Sequence, residues 1–296
     1  REAMTSAKLE HPNIISIYDY GTHAHTSYIA MRLLRGGTIS DRLRYQQMQK
    51  RPQPSLYEVS QFLTAVAGAL DHAHNRDVIH RDVKPSNFMF DTKGNPLIVD
   101  FGIARLLQTT SSFTQIGKTL GTPAYMAPEQ WNGEAVPASD QYALGGVIYT
   151  LLVGRAPFEA TTPMGLFTMH TKEPLPPIHE VRNDIPQGIS NVLSRAMAKL
   201  PEERYPSNRE FAEEFAAICV NAETQSTGFF TFELVRENQA KPNEKSSQPV
   251  SPSSSKHTSA WSTSQEISLD AGSDSNSQIV PKQLKPMLWQ KDKMRF

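Results

Sequence analysis

The clearest periodic stretch of the chain runs from Ser55 to Asn75. Leu56, Val59, Phe62, Leu63, Val66 and Leu70 fall on one face of a 3.6-residue repeat, and Ser55 followed by Glu58 is a capping-box pattern, so a helix with a buried stripe is predicted there. Ahead of it, Arg1 to Glu10 reads as a short helix stopped at His11-Pro12, because proline biases its predecessor away from helix. Ile14–Tyr20 and Ser27–Leu33 are strand-like and are expected to be joined by a turn at Gly21. Phe88–Phe90 and Leu97–Val99 are short apolar runs separated by Asp91-Thr92-Lys93-Gly94-Asn95, which predicts a hairpin. Further on, an apolar helix opens at Ser139 and runs to Val153, with Gly154 as its stop. Thr162-Pro163 starts another helix, Ile189–Ala198 has helical spacing, and Ser207 with Glu210 caps a last helix reaching about Val220.

Beyond Asn221 the pattern fades into Ser, Thr, Gln, Asn, Lys and Pro. Low hydrophobicity of this kind cannot offset the entropy of ordering a chain, so a disordered tail over 221–296 is expected. Its end is basic, with Lys282, Lys285, Lys291, Lys293 and Arg295, which reads as a solvated linker that could lie beside a membrane. The whole chain of 296 residues carries 30 Lys and Arg against 30 Asp and Glu, a balance that argues against a general nucleic-acid binder. Its single cysteine, Cys219, cannot form an internal disulfide, which fits a reducing, cytoplasmic setting. The longest apolar run, Ala143 to Gly154, is too short to span a bilayer, and no signal pattern opens the chain, so a soluble protein is expected. His72, His74, His170 and His179 have neither cysteine partners nor HExxH spacing and are read as satisfied or solvent-facing side chains rather than metal ligands.

Candidate chemistry concentrates between His80 and Gly102. The run His80-Arg81-Asp82-Val83-Lys84-Pro85-Ser86-Asn87 supplies a carboxylate, an ammonium and an amide within six residues, and Asp100-Phe101-Gly102 follows across the hairpin. Phosphoryl transfer needs a positioned nucleophile, metal ions on the phosphate oxygens and cations where charge spreads. Asp82 suits the hydrogen-bond acceptor for an attacking hydroxyl, and Lys84 suits a contact to the phosphate being moved. Asn87 and Asp100 are the hard oxygen ligands that Mg²⁺ prefers.

This run closely resembles the catalytic loop and magnesium loop of eukaryotic-like (Hanks-type) serine/threonine protein kinases of the bacterial group. Gly121-Thr122-Pro123-Ala124-Tyr125-Met126-Ala127-Pro128-Glu129 resembles the end of a kinase activation segment. The resemblance implies an α+β, protein kinase-like fold: a partial β-rich N-terminal lobe over 1–35, a mostly helical C-terminal lobe over 36–220, then the tail. It implies ATP and Mg²⁺ as cofactors and proteins as substrates. Lys84 and Thr122 mark serine/threonine rather than tyrosine specificity, Thr122 bridging Asp82 and Lys84. Small-molecule phosphotransferases lack the Gly121–Glu129 segment and are set aside.

By the same resemblance, Glu2 is the helix glutamate that pairs with a phosphate-binding lysine. Adenine meets the backbone of Leu33 and Leu34, behind Met31, and Met89 lines the nucleotide pocket. Arg81 pairs a phosphate on the activation loop, for which Thr114 is the candidate, eight residues before Thr122. Asp140 holds the catalytic-loop backbone, and Glu129 pairs with Arg204 in a buried ion pair. A glycine-rich loop and the lysine partner of Glu2 are absent from the chain. That absence predicts a kinase cut short at its beginning, with a non-catalytic pseudokinase or binding scaffold as the alternative.

Overall fold

In the computed structural model, the described residues are 9–23, 26–101, 123–220 and 229–230. Glu2, Thr114, Thr122 and the tail, apart from Phe229 and Phe230, lie outside them. All described residues belong to the first of two units into which the chain divides, Arg1–Gln239 and Ala240–Phe296.

Two antiparallel hairpins and a group of helices make up the described structure. Strands β1 (Ile17–His23) and β2 (Thr26–Met31) form the first hairpin. The turn expected at Gly21 is not there: Gly21 sits inside β1 opposite Tyr28, and a Cβ on it would come within 3.0 Å of the Tyr28 ring. The glycine admits a cross-strand aromatic instead of bending the chain. Strands β3 (Phe88–Phe90) and β4 (Pro96–Ile98) form the second hairpin, with Phe88 opposite Ile98. The segment before β1 lies against β4, since Ile98 donates to the Asn13 carbonyl (2.8 Å) and Ile15 to the Ile98 carbonyl (3.0 Å). These bonds tie the first hairpin to the second.

Helix α1 (Ile39–Gln49) was not anticipated from the apolar pattern, because only a narrow stripe of it is buried. Its signal is at its start: Thr38 and Asp41 cap each other reciprocally. Helix α2 (Leu56–His74) begins at the expected Ser55–Glu58 box and buries Val59, Phe62, Leu63, Val66 and Leu70. Helix α3 (Pro137–Val153) is buried on nearly all sides, which its continuous apolar run required. Among the described residues no helix is long and apolar enough to cross a membrane.

Helices α4 (Pro163–Lys172), α5 (Ile178–Val181), α6 (Gln187–Ala196) and α7 (Asn208–Cys219) complete the lobe. Asp71 of α2 accepts hydrogen bonds from the Asn208 and Arg209 amides (3.0 and 2.9 Å) and from Asn208 Nδ2 (2.8 Å). A carboxylate there satisfies otherwise unpaired donors at the start of α7 and complements its dipole. Past α7, Phe229 and Phe230 return to the core beyond the boundary expected at 220, with Phe229 fully buried.

Candidate active site

The site begins where α2 ends. After His74 the backbone makes two left-handed residues in quick succession, Asp77 (φ 58°) and Arg81 (φ 69°), and a third, Asp100 (φ 65°), follows β4. Side chains other than glycine rarely adopt this conformation, and where they do the surroundings must compensate the cost. At Arg81 the compensation comes from Asp140 at the start of α3. Its Oδ2 accepts from the His80 amide (2.8 Å) and from His74 Nε2 (2.8 Å), and its Oδ1 accepts from the Arg81 amide (2.8 Å). One buried carboxylate therefore holds the strained loop to the end of the helix that delivers it.

His80 works from the other side. Its ring, fully buried, packs on Phe101 at 4.6 Å between centroids, and its Nε2 bonds to the Val99 carbonyl (2.9 Å). It thus couples the loop to the segment leading into Asp100. Gln130, a residue the sequence reading did not single out, bridges to the following segment: its Nε2 donates to the Arg81 carbonyl (3.0 Å) and its Oε1 accepts from the Ala127 amide (3.0 Å).

With the loop held, three of the expected side chains converge. Lys84 Nζ lies 2.6 Å from Asp82 Oδ2. Asn87 donates from Nδ2 to the Asp82 carbonyl (2.7 Å) and to Asp82 Oδ2 (3.2 Å). Because both donors of that amide point at Asp82, its Oδ1 faces the other way, with only a long contact from Ser86 Oγ (3.4 Å). The backbone of Asn87 meets the residue before Asp100, since Val99 donates to the Asn87 carbonyl (2.9 Å).

Asp100 stays open to solvent at its tip, but surrounding protein displaces enough water to push its pKa above the ordinary carboxylate value. The nearby charge of Asp82 adds to the rise, while His80 and Lys84 oppose it. A crowded carboxylate and a weakly engaged amide oxygen on adjoining backbone suit a hard divalent cation that keeps water and phosphate in its shell.

Above this floor, Ile15, Leu34, Leu97 and Val99 form a small apolar cluster, with Met31 and Met89 packed against it. Leu33 points outward and is exposed, so of the two expected hinge residues only Leu34 contributes its side chain to the cluster. Arg81 is placed beside Asp82, whereas Thr114, its expected phosphate-bearing partner, is outside the described residues.

Below the loop, Arg204 and Glu129 make a two-pronged ion pair, Nη1 to Oε1 at 2.7 Å and Nη2 to Oε2 at 2.9 Å. Ser139 Oγ donates to the same carboxylate (2.6 Å), and the remaining Arg204 donors meet the carbonyls of Ala138, Ala198 and Lys199. Burial alone would raise the Glu129 pKa. The hydrogen bonds from Arg204 and Ser139, with the Arg204 charge, outweigh it and hold the carboxyl below its usual range.

The protein kinase domain family model matches residues 1–216. Among curated proteins, the chain is 37% identical over 222 residues to the DNA damage-responsive serine/threonine-protein kinase RqkA of Deinococcus radiodurans, covering 73% of this chain and 32% of that protein. It is 36% identical over 218 residues to serine/threonine-protein kinase PrkC of Bacillus subtilis, again covering 73% of this chain and 32% of that protein. The chain thus spans about a third of the length of these relatives. Among solved structures, the kinase domain of Mycobacterium tuberculosis PknI matches with a TM-score of 0.57 at 30% identity, over 73% of this chain and 75% of that one. The geometry around Asp82 and these matches agree: the chain belongs to the protein kinase family, and the relatives it resembles are bacterial serine/threonine kinases of the Hanks type.

Proposed function

We propose that the protein transfers the γ-phosphoryl group of ATP to serine or threonine hydroxyls of protein substrates. The observation that carries this reading is the convergence of Asp82, Lys84 and Asn87 on one held loop, with Asp100 on the adjoining strand end. Asp82 accepts the proton of the substrate hydroxyl as its oxygen bonds to the γ-phosphorus and the bond from that phosphorus to the β,γ-bridging oxygen breaks, releasing ADP. Lys84, already against Asp82, offers an ammonium to the phosphoryl oxygens as charge spreads over them. Asn87 Oδ1 and the Asp100 carboxylate would hold Mg²⁺, which when bound neutralises the nucleotide phosphates. The Asn87 amide also orients Asp82, keeping the carboxylate aimed without further ordering during the reaction. Leu34, Met31 and Met89 supply the apolar surface for adenine.

Glu2 as a nucleotide-side carboxylate, Thr122 as the bridge between Asp82 and Lys84, and Thr114 as the regulatory phosphosite paired with Arg81 complete the reading, on the strength of the family resemblance. A cytoplasmic setting, where ATP is available and Cys219 stays reduced, fits the same reading.

The test is Asp82→Asn in the full-length protein, assayed by transfer of label from γ-labelled ATP to a serine/threonine peptide. A positioned base contributes about 10²–10⁴-fold, so turnover should drop by that factor while nucleotide affinity is kept. Near-normal labelling would remove Asp82 from the role.

A further inference from the structure

One buried guanidinium in the lobe holds no carboxylate among its described partners. Arg42 of α1 donates from Nε (3.1 Å) and Nη2 (2.8 Å) to the Gly36 carbonyl, and from Nη1 to the carbonyl of Phe229. Its plane lies 4.1 Å over the Phe90 ring, a cation–π contact in a desolvated site. Burial lowers its pKa to about 10, so it remains charged at neutral pH and depends on these carbonyls and that ring.

The residues that meet at Arg42 come from parts of the chain with different tasks. Gly36 follows the connection between the β1–β2 hairpin and the helical lobe, and it is locked to β3: its amide donates to the Phe90 carbonyl (3.0 Å), while the Phe90 amide donates to Gly37 (3.1 Å). A Cβ at Gly36 would come within 2.6 Å of the Phe90 carbonyl oxygen, so the two backbones are in direct contact. Phe229 and Phe230 close the other side. Phe230 stacks parallel on Phe62 of α2 with centroids 5.4 Å apart and tilts against Phe90 at the same distance, and Phe229 packs edge-on to Phe230 at 4.8 Å.

We infer that Phe229 and Phe230 form an intramolecular docking motif, seated on Phe62, Phe90 and Arg42, that ties these two residues to the connection between the two parts of the nucleotide cleft. The occupant of the seat is this chain's own aromatic pair. The pairing is chemically selective: the Phe230 ring stacks on Phe62 and tilts against Phe90, Phe229 packs edge-on to Phe230, and a backbone carbonyl is offered to a buried cation that otherwise has Gly36 as its acceptor. Through the shared guanidinium, the position of this pair is coupled to Gly36, and so to the backbone beside Leu34. The inference concerns docking alone and stands apart from whether phosphate is transferred.

Two measurements on the full-length protein test it. In the double variant Phe229→Ala/Phe230→Ala, amide exchange at Gly36 and Phe90 should accelerate by about tenfold or more, while amides in the centre of α3 keep their protection. Unchanged exchange at Gly36 and Phe90 would overturn the inference. Should protection be lost everywhere, the decision passes to a photo-cross-link, with p-benzoylphenylalanine placed at position 230 where a bulky aromatic is retained. Adducts within one chain to peptides containing Phe62 or Phe90 are the expected result. Adducts only elsewhere in the chain, or only between two chains, would overturn the intramolecular seat.

Discussion

Asp140 and Arg81 lie 59 positions apart in sequence, yet the Arg81 amide donates to Asp140 Oδ1 at 2.8 Å, and this bond steadies a left-handed residue immediately before Asp82. Asp140→Ala should leave the His80 and Arg81 amides buried without an acceptor. That costs about 1–3 kcal/mol for each donor left unpaired, with the loop as the first region to open. Thermal denaturation should show the loss, and exchange should localise it to residues 80–82. A wild-type melting temperature would mean that the loop is held by something else.

In its proposed metal role, Asp100 makes nucleotide binding depend on pH. Its carboxyl is held above the ordinary value of 3.8, and a proton competes with a cation for it. Mg²⁺-dependent ATP binding should therefore be full at neutral pH and weaken as pH falls through the raised pKa, sooner than an ordinary carboxylate would cause. Calorimetry at descending pH reads this directly. Asp100→Ala should remove most Mg²⁺-dependent affinity and the pH dependence with it, and unchanged affinity would count against the metal role.

Glu129→Gln should destabilise the domain through Arg204. That guanidinium is fully buried, so losing its counter-charge leaves an uncompensated ion, a change typically worth about 3–5 kcal/mol. The native pair also has an acid signature. Glu129 has a depressed pKa, so its contribution is complete above the unfolded value of 4.5 and is lost as pH falls through the folded one. Urea titrations of both proteins should show a large gap at neutral pH that narrows in acid; a constant gap would argue against the ion pair as its source.

His170 adds an earlier acid transition. It is buried against Phe158 (5.0 Å) and bonded through Nδ1 to Tyr142 Oη (2.9 Å), and burial, with Lys199 nearby, lowers its pKa from 6.5 to about 4. The unfolded chain therefore takes up a proton that the folded one refuses. Stability from this source is intact above 6.5 and declines between 6.5 and about 4, by roughly 2–4 kcal/mol in all. His170→Gln should flatten that part of the stability–pH curve whatever its effect at neutral pH, and an unaltered slope would show that another group is titrating.

Asp82, Lys84, Asn87 and Asp100 could be proposed from the sequence because the proposed phosphoryl transfer needs those residue types at short, fixed spacing. The long helices were legible for a related reason: Ser55–Glu58 and the stripe from Val59 to Leu70 are local patterns with a local cause, as is the run that became α3. The features that escaped were decided by residues distant in sequence. Gly21 looked like a turn, and only the Tyr28 ring across the hairpin shows that it is a gap in a strand. Thr38 and Asp41 carried a cap for α1, yet with little apolar stripe behind it the helix depends on Arg42 being buried against Phe90 and Phe229. Phe229 and Phe230 lie in a stretch whose composition reads as tail, and their burial depends on a seat assembled from α1, α2 and β3. By itself, the sequence determined the helices and the close spacing of the candidate residues, because both rest on neighbours within one or two turns. Tertiary structure alone decided that buried Arg42 meets the Gly36 and Phe229 carbonyls and that His170 meets Tyr142, because closing those contacts takes the packing of distant segments.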